Sequence, residues 1–250
     1  MLRLVTRRCN EQGREWDAVE SVLTVGTLAG NERMPKTSLD APAVRQMLLA
    51  MADRIIASEP ILSEADRHLG DGDHGVGMAR GFTAVKAKLA TASSETIAKL
   101  FGMTGNALLS SMGGASGALF GTLFREGGKA LEGRDRFDSA ALADFLAAAL
   151  AGVQARGGAK PGDKTMVDAL APAATAARQA SALSLPEAAA AVATAAESGT
   201  EATRCLVARA GRAKTLGDAS IGHPDPGAIS VSLILEAVRD FVPSVHNSSG

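Results

Sequence analysis

The chain has 250 residues, 46% of them hydrophobic and 21% charged, with 26 basic against 27 acidic side chains. That apolar content builds one large domain or two small ones and excludes a disordered chain. A net charge of −1, 3% aromatic content and no Tyr exclude a basic, aromatic-lined surface for nucleic acid, and no apolar run is long enough to span a membrane.

Residues 1–35 carry Arg3, Arg7, Arg8, Arg14 and Arg33, but acidic residues interrupt them and there is no compact apolar core of a secretory signal. They read as a divergent, flexible extension ahead of a domain over residues 36–246. Cys9 and Cys205 show no CxxC or metal spacing and read as reduced thiols of a cytoplasmic protein.

From Ser38 the pattern is helical. Asp40 caps a helix with Pro42 in its first turn, and Val44, Met47, Leu48, Met51 and Ile55 recur at spacings of three and four. Pro60 opens a second, short helix carrying Asp66. The stretch from Ala65 to Gly75 then places Asp66, Asp71 and Asp73 in eight residues and ends in a glycine-rich turn, which suits a hard divalent cation such as Mg²⁺. Asp66 lies about 140° from Asp71 on a continuous helix, so convergence of the three requires the helix to stop near Gly70. A solvated acidic loop or a helix cap is the plain alternative. Gly70-x-Gly72-x-x-Gly75 has no strand before it and is not a dinucleotide fingerprint, and Phe82 stands where an EF-hand needs Glu.

Helices are expected over Val76 to Leu89 and from about Glu95 to Leu109. Met112-Gly113-Gly114-Ala115-Ser116-Gly117 then opens a helix running to Leu131; such a turn presents backbone N–H groups to phosphate oxygens, or serves close helix packing. Asp138 caps a helix over Ser139 to Arg156. Gly157 to Thr165 looks like a P-loop, but Asp163 intrudes before Lys164 and no strand precedes it. A helix over Thr165 to Ala180 contains Pro172 and is kinked or short. Leu185 to Ala210 is Ala-rich and helical by propensity. A glycine- and proline-punctuated segment, Gly211 to Gly227, leads to a last helix from Ala228 to about Val242. No period-two pattern lasts long enough for a sheet. The chain therefore reads as one all-α bundle or barrel of about eight helices, and because its four informative loops fall at alternate junctions, an up-and-down arrangement would bring all four to a single mouth.

Gly70-Asp71-Gly72-Asp73-His74-Gly75, Ser111 to Gly117, Pro161-Gly162-Asp163-Lys164-Thr165-Met166 and Gly222-His223-Pro224-Asp225-Pro226-Gly227, in that order, resemble the nucleotide-binding L subunits of bacterial dihydroxyacetone kinases. The resemblance covers about Asp40 to Val242 and implies an all-α, single-domain barrel of about eight antiparallel up-and-down helices with the nucleotide at one rim. It implies two Mg²⁺ held by Asp66, Asp71 and Asp73 and bridging the phosphates of ADP or ATP. It further implies His74, Gly75, Val76, Gly77, Ala115 and Ser116 at the phosphates, and Gly157, Met166, Arg212, Asp225, Pro226 and Gly227 around the nucleoside. Many relatives carry Asn at the position of Gly77, which removes one side-chain contact and points to ATP as an exchanging substrate. The family pairs this subunit with a K-like subunit that binds the ketose, and in one branch with a phosphotransferase-system donor. Regulation of a transcription factor, and phosphorylation of a tetrose or a fatty acid, are the alternatives.

Overall fold

Asp40 Oδ1 accepts the N–H of Ala43 at 2.9 Å and starts the first helix, as its sequence position predicts. The computed structural model describes residues 2–9, 15–23, 38–93 and 95–244, and side chains for 38–93 and 95–242. Nine α-helices follow among the described residues: α1 Ala41–Ala57, α2 Glu59–Arg67, α3 His74–Ala90, α4 Ile97–Ser111, α5 Gly114–Lys129, α6 Ser139–Gly157, α7 Val167–Gln179, α8 Leu185–Ala202 and α9 Pro226–Ser244. α1 breaks into α2 at Ser58, whose hydroxyl donates to Arg54 O at 2.8 Å, and Pro60 has no N–H to continue the ladder. Counting α1 and α2 as one bent rod leaves eight, the expected number.

Each rod packs on the next in sequence, and α9 returns to α1, so the helices close into a ring. Inside it Phe101 and Phe145 lie 4.6 Å apart between ring centres, with Phe82, Phe124 and Phe137 around them. α4 and α5 approach closely because Gly105 and Gly121 face each other: a Cβ on Gly105 would sit 2.6 Å from Gly121 O. α7 and α8 meet through buried alanines, so the Ala-rich sequence serves tight packing. The junctions α2–α3, α4–α5, α6–α7 and α8–α9 fall at one end of the ring.

Three expectations differ from the structure. α8 ends at Ala202 rather than near Ala210, because Thr203 Oγ1 donates back to Thr200 O at 2.6 Å and accepts the N–H of Asp225 at 2.9 Å; 3₁₀ turns follow at Thr203–Cys205 and Arg212–Ser220. Strands Leu2–Cys9 and Glu15–Leu23 pair antiparallel, where the sequence shows no sheet. A two-stranded ribbon is held by backbone bonds and needs no alternating apolar face, so the period-two test misses it. Of the expected extension, residues 1, 10–14 and 24–35 lie outside the described residues, and with them the reading of that segment as flexible. Cys205 takes part in a disulfide, so the thiol reading fails there; sequence spacing carries no information about a partner distant in the chain. Among the described residues no helix is long and apolar enough to cross a membrane.

Candidate functional site

Asp66 occupies the last turn of α2 and is 9% exposed. The helix stops there: Gly70 N–H donates to Asp66 O at 2.6 Å, and a Cβ on Gly70 would lie 2.5 Å from Asp66 Oδ1, so glycine lets the carboxylate fold back over the turn. Asp66 Oδ2 accepts the N–H of His74, the first residue of α3, at 3.1 Å. Gly72 turns at φ 76° and returns Asp73 towards Asp66. One oxygen from each of Asp66, Asp71 and Asp73 lies within 4.8 Å of the others. An oxygen-only set of three carboxylates suits a hard cation. Their affinity for positive charge is visible in Arg212, whose Nη1 contacts Asp71 and lies 3.5 Å from Asp73 Oδ1.

This cluster sits at one wall of a cleft of about 930 Å³. Asp66, Asp73, His74, Val76, Gly77, Ala115, Ser116, Gly157, Met166, Arg212, Asp225, Pro226 and Gly227 all line it, so the loops that the sequence singled out do converge. Asp71 is outside the lining but joined to it through Asp66, Asp73 and Arg212. Gly75 is turned away: its Cβ position lies 2.3 Å from Glu59 O, so this glycine exists for the close approach of α2 to α3.

His74 is buried and links three helices. Ser230 Oγ donates to Pro226 O at 3.0 Å, leaving it to accept from His74 Nε2 at 2.8 Å, and Ser116 lies 3.4 Å from Nδ1. The network assigns a neutral ring protonated at Nε2. Burial lowers its pKa in the same sense, against the opposing pull of Asp66 and Asp73. Opposite, α5 is opened by two glycines with positive φ, its cap Gly113 (73°) and its first residue Gly114 (60°), and the helix N-terminus lies at the cleft wall, where an anion is favoured. Arg80, which sequence reasoning missed, braces this turn by donating to Ser111 O at 2.8 Å and Met112 O at 2.6 Å. Its partners are backbone carbonyls on another helix, which leave no mark in local sequence.

The remaining wall is a polar knot. Asp168 accepts the N–H groups of Gly162 at 2.5 Å and Thr165 at 2.7 Å, shaping the loop before α7, and Asp225 Oδ2 accepts Ala228 N–H at 2.8 Å at the start of α9. Desolvation, aided by Asp168, pushes the Asp225 carboxyl up to about 7; desolvation, aided by Arg204, pulls the Lys164 ammonium down to about 8. The signs are opposite. Asp225 contributes stability that is full below its ordinary 3.8 and lost by about 7, whereas the Lys164 contribution is present above its ordinary 10.5 and lost as pH falls through about 8. The pair therefore supports the fold least between about 7 and 8. Melting curves across pH should show a dip there, with the acid limb absent in Asp225→Asn and the alkaline limb absent in Lys164→Met. An unaltered profile in both variants would refute the assignment.

The DAK2 domain family matches residues 68–240, which hold all four loops and begin two residues after Asp66. The chain belongs to the DAK2 domain family. This DAK2 domain is 40% identical over 201 residues to the PEP-dependent dihydroxyacetone kinase, ADP-binding subunit DhaL of Escherichia coli (strain K12), covering 80% of this chain and 96% of that protein. It is 39% identical to the L-erythrulose kinase of Pectobacterium atrosepticum, over 84% of this chain but only 36% of that longer protein. Among solved structures, the dihydroxyacetone kinase from C. freundii in complex with AMP-PNP and Mg²⁺ superposes with a TM-score of 0.65 at 27% identity, over 90% of this chain and 38% of that one.

Proposed function

We propose that this DAK2 domain is the nucleotide-binding subunit of a dihydroxyacetone or related short-chain ketose kinase, passing phosphate from a bound adenine nucleotide to a ketose held by a separate K-like subunit. The observation that carries the reading is the convergence of Asp66, Asp71 and Asp73 on a cleft shared with the glycine-led N-terminus of α5. Phosphoryl transfer needs positioning and charge neutralisation more than covalent chemistry. Asp66, Asp71 and Asp73 would hold Mg²⁺, two ions in this reading, and bound Mg²⁺ supplies neutralisation of phosphate charge. The N–H groups opening α5 and α3 receive phosphate oxygens. Neutral His74 keeps Ser116 and α9 in register beside them. Arg212 adds a cation at the rim, and Met166 with Asp225, Pro226 and Gly227 encloses the nucleoside. The setting would be the cytoplasm, where such nucleotides and ketoses are available.

The relatives that this chain covers almost in full are ADP-binding subunits named PEP-dependent, and a PTS-dependent subunit of Lactococcus lactis is 34% identical over 92% of its length. These favour ADP that stays bound and is rephosphorylated by a phosphotransferase-system donor, over the exchanging ATP suggested by Gly77 alone. The erythrulose kinases favour a tetrose as a second acceptor. Protein desalted in Mg²⁺ is expected to retain stoichiometric ADP and, with a K-like subunit and dihydroxyacetone or erythrulose, to turn over only when the donor system is supplied. Little retained nucleotide with repeated turnover on ATP would establish the exchanging mode, and no turnover under either regime would remove the kinase reading.

A further inference from the structure

Lys164 is the only described non-glycine residue with a left-handed backbone, at φ 60°. That conformation is uncommon for a residue with a side chain. Here it sends a lysine inward until only 1% of the residue is exposed. The ammonium donates to two backbone carbonyls, Thr203 O at 2.5 Å and His223 O at 2.6 Å. Those carbonyls stand at the two ends of the segment that leaves α8 and returns to α9.

That segment carries Arg212 and leads into Asp225, Pro226 and Gly227. It has little apolar anchorage of its own: Ala208 and Ala213 join Leu69 in a small cluster separate from the main core. Apart from the disulfide of Cys205 near its first end, its other restraints are polar. Gly222 N–H donates to Arg204 O at 2.8 Å, Arg204 Nη1 returns to Gly222 O at 2.9 Å, and Ala208 N–H donates to Ser220 Oγ at 2.9 Å. Across to the loop that bears Lys164, Arg209 N–H donates to Asp163 O at 3.1 Å.

We propose that Lys164 is a positioning residue for the nucleotide: its ammonium clamps the two ends of the 203–223 segment together and thereby holds Arg212 and Asp225–Gly227 over the cleft. The proposal rests on the nucleotide reading above, but the clamp itself is a property of the free chain. Without the ammonium, two carbonyls in a largely dry site lose their donor, a loss large enough to loosen the part of the segment that lies beyond Cys205 and has only the small Leu69, Ala208 and Ala213 cluster for apolar anchorage.

Lys164→Ala is the test, with calorimetric titration of Mg²⁺ and of ADP in Mg²⁺, and amide hydrogen exchange without nucleotide. The variant is expected to bind ADP about tenfold more weakly or worse, to bind Mg²⁺ as wild type does, and to lose protection at Ala208, Gly222 and Asp225 while α4 and α5 keep theirs. Added methylammonium should restore part of both losses. Unchanged affinity and protection, or a loss spread equally over α4 and α5 that methylammonium does not rescue, would overturn the clamp. Should the variant not fold, wild-type exchange still decides: under the clamp the amides of Ala208, Gly222 and Asp225 open together, and three unrelated opening free energies would refute it. Wild type that binds no ADP would instead remove the functional reading, leaving the exchange result to judge the clamp.

Discussion

Asp71→Ala and Asp73→Ala are each expected to abolish Mg²⁺-dependent nucleotide binding while leaving the melting temperature of the free protein within a degree or two of wild type. Both side chains are exposed and their partner, Arg212, is itself exposed, so the ion pair contributes little to the fold. Removing one carboxylate also relieves repulsion among three. Asp66→Ala should differ. It loses the same binding, and in addition the N–H of His74 loses its acceptor at the start of α3. Loss of such a cap costs about 0.5–2 kcal/mol, which at this size lowers melting by about 2–4 °C per kcal/mol. Calorimetric titration of ADP with and without Mg²⁺, paired with thermal melts, separates the three. Wild-type affinity in all three variants would remove the metal assignment.

Two glycines of α3, Gly75 and Gly77, lie about 200° apart around the helix and should respond in opposite directions. At Gly75 an added Cβ would meet Glu59 O at 2.3 Å, Ser63 Oγ at 2.4 Å and Ser63 N at 2.6 Å, and two of these are backbone atoms that cannot step aside. Gly75→Ala is expected to destabilise by about 1–3 kcal/mol or more as α2 is pushed off α3. Because Asp66 rides on α2 while Asp73 abuts α3, the same displacement should also weaken Mg²⁺ binding. At Gly77 a Cβ meets nothing within 4 Å. Gly77→Ala should therefore stabilise the helix by about 0.5–1 kcal/mol. Gly77→Asn places an amide at the cleft wall and is expected to tighten ADP by up to about tenfold, the worth of one hydrogen bond. Denaturant melts and ADP titrations on the three variants provide the check; a stable Gly75→Ala protein with wild-type Mg²⁺ affinity would show that the helices adjust.

What the sequence revealed about this site was whatever a short window could hold. Asp71 and Asp73 with Gly72 between them, the glycine run before Ser116, and the stop at Gly70 are local devices, and the structure gathers the segments that carry them around one cleft. The eight-rod ring was legible because every rod has its own apolar spacing and cap. The inward Lys164 was not. Its acceptors are carbonyls 39 and 59 residues away, and a carbonyl is the same at every position of the chain. Arg212 lines the cleft with Met166 and Asp225, and its contact with Asp71 and Asp73 could not be read in advance, because charge pairing across some 140 residues obeys geometry rather than spacing. Gly75 and Gly77 look alike in the sequence; only the neighbouring helix distinguishes them.

Ring closure fixes where a fused partner could be tethered. The chain enters α1 and leaves α9 at the end away from the cleft, where Leu39 and Phe137 exchange backbone hydrogen bonds of 2.9 and 2.8 Å. α9, with 19 residues, spans about 28 Å of that height. A domain joined at this seam and delivering its substrate to the mouth must run its connector along the outside of the barrel, which takes about nine extended residues at the least. A shorter connector would hold such a domain at the wrong pole.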